Sequence, residues 1–166
     1  NLMNRWQYLG DNGFMLNAAL QAVRYEMEAG QIVHTSHTLN PYTIRQLTSS
    51  YQAMVKMGWE LDAVKQSSFA ILYRFNLATQ QGRLSWRPID NRELFFHVTP
   101  MYQTNFNNTV KTKFGIQLLR DHVEEKLDTL NFYKNEWVPG LFNEWTIKPG
   151  AMEIVLGSRL DYHNTL

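Results

Sequence analysis

Between Ser67 and Gln103 the chain shows a two-residue period that leaves little freedom in how it can fold. Phe69, Ile71, Tyr73, Phe75 and Leu77 alternate with Ala70, Leu72, Arg74 and Asn76. Successive side chains of a strand point to opposite faces, so this run reads as extended backbone with one aromatic face shielded from water. Thr79-Gln80-Gln81-Gly82 and Pro88-Ile89-Asp90-Asn91 have the composition of turns. They divide the region into strands expected near residues 67–77, 83–87 and 93–102. Met152, Ile154 and Leu156 alternate again and predict a last strand near 151–157.

The flanking segments read differently. Leu16, Ala19, Leu20, Val23 and Met27 recur at helical spacing, with Asn12 as an N-cap and Gly30 as a C-terminal stop, which predicts a helix over 13–29. Asn40-Pro41 opens a second such pattern, with Ile44, Leu47, Tyr51, Met54 and Val55 as its stripe, predicting a helix over 41–57. Ile116, Leu119, Val123, Leu127 and Leu130 predict a third over 109–133. The expected fold is therefore α+β: a single domain over 1–166 in the order α-α-β-β-β-α-β, with an antiparallel sheet of about four strands packed by three helices. Residues 1–13 read as an aromatic N-terminal arm, and residues 135–150 as an aromatic Pro/Gly loop.

Composition narrows the function. The formal net charge is +1, and aromatic residues make up 13% of the chain, which excludes disorder and any strong global attraction to nucleic acid. Cysteine is absent, so disulfides, thiolate catalysis and cysteine-bound zinc are ruled out. No apolar run approaches the roughly twenty residues a helix needs to cross a bilayer. A soluble protein without membrane insertion is expected, in the cytoplasm or a virion rather than secreted.

Nucleotide-binding, zinc-protease and hydrolase motifs are missing, and neither a metal nor a cofactor is expected. His97-Val98-Thr99 is the one catalytic-looking string. It resembles one half of the signature of two-histidine phosphoesterases, in which a pair of His-x-[Ser/Thr] strings faces one phosphate. That resemblance implies a second half at His34-Thr35-Ser36, with His97 and His34 as proton donor and acceptor and Thr99 and Ser36 holding the phosphate.

The leading expectation is a non-catalytic binding or assembly subunit of an oligomer or a larger complex such as a viral or phage particle. Trp6, Tyr8, Trp137, Phe142 and Trp145 would dock on copies of itself or other protein subunits. The phosphoesterase, acting on a phosphodiester or cyclic nucleotide, is the first alternative. The second is a winged-helix-like nucleic-acid binder using Arg45, Lys56, Arg74, Arg83 and Arg87.

Overall fold

A computed structural model describes residues 1–30 and 43–165, and these residues form one antiparallel sheet with no helix among them. Its strands are β1 (Leu2–Leu9), β2 (Phe14–Gly30), β3 (Thr43–Asp62), β4 (Ser67–Leu84), β5 (Arg87–Asn105), β6 (Val110–Leu127), β7 (Leu130–Ile147), β8 (Ile154–Asp161) and the short β9 (Asn164–Thr165). Each of the first seven pairs with the next in sequence, and β9 adds to β7 beyond the end of β8. The outer edges of β1 and β8 have no partner strand among the described residues.

The α+β expectation is thus overturned, together with all three helices. Residues 13–29 lie in β2, 41–57 in β3 as far as the structure describes them, and 109–133 in β6, the turn after it and the start of β7. The arm at 1–13 is β1, hydrogen-bonded to β2 along its length, and the loop at 135–150 is mostly β7.

The helical spacing arose from two strand faces read together. In β2, Leu16 and Leu20 lie on one face while Ala19, Val23 and Met27 lie on the other. Every second residue of a face is four apart in sequence, so sparse apolar residues on both faces imitate the i, i+4 spacing of a helix. In β3, Leu47, Tyr51 and Val55 share one face, with Ile44 and Met54 opposite.

The expected turn at residues 79–82 is also replaced by strand. β4 runs through it to Leu84, and Gly82 is needed because a Cβ there would collide with the Arg45 carbonyl on β3. Ser85-Trp86 forms the reversal instead, with Ser85 at φ 59°. Asp128 begins the equivalent two-residue turn between β6 and β7 at φ 58°. A left-handed first residue matches the twist of a tight hairpin.

The sheet has almost no hydrophobic core. Val138 is the one buried apolar residue among those described, whereas Ser67, Thr99, Thr112 and Gln117 are buried and polar. The chain exposes 12044 Å², against roughly 8,500 Å² for a compact monomer of 19.5 kDa. Its cohesion lies in the backbone ladder and in cross-strand side-chain pairs.

One tight point tests that ladder. A Cβ on Gly115 would stand 2.6 Å from Phe142 Cζ and 2.7 Å from the Pro100 carbonyl oxygen. Gly115→Val is expected to destabilise the folded protein by about 1–3 kcal/mol, measured by urea unfolding. Adding Phe142→Ala should recover part of that loss, and far-ultraviolet circular dichroism should show strand without helix.

Candidate functional site: an apolar face and a polar face

The register assigns every strand residue to one of two faces. The first carries Phe69, Ile71, Tyr73, Phe75 and Leu77 of β4. Its neighbours are Trp59, Met57, Val55, Ala53 and Tyr51 of β3 and Tyr102, Pro100, Val98, Phe96 and Leu94 of β5. It continues through Phe14, Leu16, Ala18, Leu20 and Ala22 of β2 and through Leu2, Trp6 and Tyr8 of β1. On the other side it includes Phe114, Ile116 and Leu118 of β6, Trp137, Leu141 and Trp145 of β7, and Ile154, Leu156 and Leu160 of β8. The polar interruptions within this band are Asn4, Thr112, Asn143 and Ser158, none of them charged, while Arg120 enters its rim on β6 between Phe96 and Trp137.

These side chains are displayed, not packed away. Ile116 and Leu141 face each other across β6 and β7, and each is 55% exposed. From Phe69 to Leu77 the band runs roughly 30 Å along the strand.

Aromatic rings line the rim nearest the turns at 10–13, 63–66 and 106–109. Tyr8 and Phe14 have centroids 6.2 Å apart, Phe14 and Trp59 5.3 Å, and Trp59 and Phe69 6.0 Å. Phe69 then opposes Tyr102, which meets Phe114 at 5.3 Å. Beyond the other rim the same face turns polar, with Arg24, Glu26 and Glu28 on β2 and His122, Glu124 and Lys126 on β6. The band is not level with the ladder: it spans Phe14–Ala22 on β2 but has slipped toward the turn end by β8.

The opposite face is polar and small. At its centre His97 Nε2 and Thr99 Oγ1 are 2.8 Å apart, with Arg74 cross-strand from His97. Gln117 of β6 is buried there with Thr99. Burial holds the His97 imidazole below its ordinary pKa, Gln117 pulls the other way, and Arg74 and Arg159 add repulsion against the protonated ring. Arg159 Nε meets Asp161 Oδ2 at 2.6 Å on the same face.

The expected site residues distribute as follows. His97 and Thr99 do form a pair, while His34 and Ser36 lie outside the described residues. His122 sits on the apolar side of the sheet, across from His97. Trp6, Tyr8, Trp137 and Trp145 all fall on the apolar face, whereas Phe142 is on the polar one. Arg45 and Arg83 oppose each other on the polar extension of the apolar face, and Lys56, Arg74 and Arg87 are on the polar face, so the sheet splits this set. The winged-helix reading also lacks its recognition helix among the described residues. Sequence reading missed the continuity of the band, because only β4 and part of β5 alternate cleanly enough to reveal it.

Among the described residues no cluster of His, Asp and Glu has the arrangement of a metal site. Among the described residues no helix is long and apolar enough to cross a membrane. No family model matches the sequence, and neither a curated protein nor a solved structure shows significant similarity to it.

The His97 environment has a sign that solution work can check. An unfolded chain takes up the proton near the ordinary value of 6.5, whereas the fold resists it. The stability owed to neutral His97 is complete above about pH 6.5 and declines as pH falls below that, down to the lowered folded pKa. Urea unfolding at several pH values should show this decline, and His97→Gln should flatten it. A nuclear magnetic resonance titration should place the His97 midpoint below that of an unfolded histidine.

Proposed function

We propose that this chain is a section of the wall of a β-barrel spanning a lipid bilayer, its apolar face toward lipid and its polar face toward the barrel interior. The observation that carries the reading is the uncharged band on the same face of all eight long strands, exposed to its surroundings. Water penalises such a surface, and hydrocarbon does not. A transmembrane strand needs about 9–11 residues, tilted, and Phe69 to Leu77 is close to that length.

Further features support it. A bilayer tolerates only backbone whose polar groups are satisfied internally, and the ladder from β1 to β8 does this along the band except at Thr99-Pro100, where the β5–β6 pairing is interrupted. The aromatic rim from Tyr8 to Phe114 suits the boundary between hydrocarbon and headgroups. Polar inward and apolar outward is the alternation such barrels use. The chain's role on this reading is structural and non-catalytic, in keeping with an assembly component. It replaces the expectation of a soluble protein, which rested on a length criterion that applies to helices and not to strands.

The free edges of β1 and β8 fit the same account. A spanning sheet is stable in lipid only when closed, so the edges pair with each other or with further strands in the complete barrel.

The absence of cysteine makes a direct test convenient. In protein refolded into liposomes, single cysteines replacing Ile71 or Tyr73 should resist a water-soluble maleimide and be quenched by lipid-borne quenchers when labelled in detergent beforehand. Cysteines replacing Leu72 or Arg74 should escape those quenchers. Val64→Cys, in an exposed turn, is the positive control for aqueous labelling. Labelling of the Ile71 and Tyr73 positions as fast as Val64 would sink the proposal.

A further inference from the structure

Resting on the barrel-wall reading, we infer that the rim of the apolar band away from the aromatic row is a docking row for anionic, phosphate-bearing lipid headgroups. The first apolar-face position beyond the band is Arg24 on β2, Ser49 on β3, Thr79 on β4, Arg92 on β5, Arg120 on β6 and Asn135 on β7. Three are arginines, three are neutral hydrogen-bonding residues, and none is a carboxylate. Acids on this face begin farther out, at Glu26 on β2, Asp90 on β5 and Glu124 on β6.

The three arginines are available. Among the described residues none of them forms an ion pair, in contrast to Arg45 farther out, whose Nε lies 2.7 Å from Glu26. Glu124 stands cross-strand from Arg92, but its carboxylate is engaged by His122 Nε2 at 3.2 Å. The Arg120 guanidinium lies 5.2 Å from the centre of the Trp137 ring, and its Nε donates to Asn135 Oδ1 at 3.3 Å. That geometry keeps the group level with the end of the band and leaves its terminal nitrogens for an acceptor outside the protein.

The opposite rim offers a contrast. On β4 and β5 the positions just past the aromatic row are Ser67 and Thr104, joined to each other at 2.6 Å and uncharged. At these strand positions the opposite rim carries no cation, the charge of Lys65 in the adjoining turn acting on Tyr102 from beyond the row. Guanidinium groups pair bidentately with phosphate oxygens, so a row of them at headgroup height selects charged phosphate lipids over zwitterionic ones.

The test uses the protein refolded into vesicles of brominated phosphatidylcholine or brominated phosphatidylglycerol, mixed with their unbrominated forms. Quenching of tryptophan fluorescence, to which Trp137 beside Arg120 contributes, reports which lipid sits against the wall. The expected result is a preference of tenfold or more for phosphatidylglycerol, lost in the triple variant Arg24→Gln, Arg92→Gln, Arg120→Gln and retained in Arg45→Gln. At roughly fivefold per arginine, the triple variant should lose at least tenfold in relative affinity. An equal preference in the triple variant and the parent would overturn the inference. So would abolition of the preference by inorganic phosphate at millimolar level but not by matched chloride, since the row would then be a site for the free ion. Failure of the barrel-wall reading gives a separate signature: cysteines at Ile71 and Tyr73 would label from water, and neither brominated lipid would quench.

Discussion

The backbone hydrogen-bond ladder is what the remainder of this structure depends on. A usual domain of this size is held by apolar side chains buried between two layers, and here there is one layer with a single buried apolar residue among those described. Each ladder bond contributes only about 1 kcal/mol net in water, so a bare sheet with this much exposed apolar surface would be a poor monomer in solution. In hydrocarbon the same ladder becomes obligatory, because a strand leaving it would expose donors and acceptors with nothing to meet them. The absence of a core and the dominance of the ladder are two sides of one design.

Inverted burial follows from that. Thr99 and Gln117 are among the least accessible residues, at 5% and 8%, while leucines and isoleucines of the opposite face stand open. On the polar face, side chains reach over one another: His97 is held by Thr99 on its own strand and influenced by Arg74 and Arg159 on others. A single layer thereby gains a second, polar set of contacts that sets the local environment of its one catalytic-looking string. The His97-Thr99 pair packs within this layer, and His34 and Ser36, its expected second half, lie outside the described residues.

The sequence made β4 and the end of β5 legible because every second residue there is large and apolar and the residues between are mostly small or polar. It hid β2, β3 and β6 because their polar face carries Ala19, Val23, Met27, Met54, Leu119 and Val123, which break the alternation. A helix pattern then fits by accident, with plausible caps at Asn12 and Gly30. Turn composition misled in the same way: Thr79-Gln80-Gln81-Gly82 is polar because the strand has left the apolar band, not because the chain reverses there. Of the aromatic residues singled out as docking groups, Trp6, Tyr8, Trp137 and Trp145 share the apolar face and Phe142 lies on the other. What they face could not be read until the register joined them into a band.

The slip of that band against the ladder has a geometric consequence. Between β2 and β8 its centre falls by about two and a half same-face positions, roughly 17 Å along strands that are together some 29 Å wide. With the band level, the strands lean by about 30°, so an 18-residue strand ends roughly 30 Å to one side of where it started. That is about six strand widths. The hairpin tip above any given turn therefore belongs to a distant part of the sequence, and a partner that touched both rims at one azimuth would join segments the chain keeps far apart.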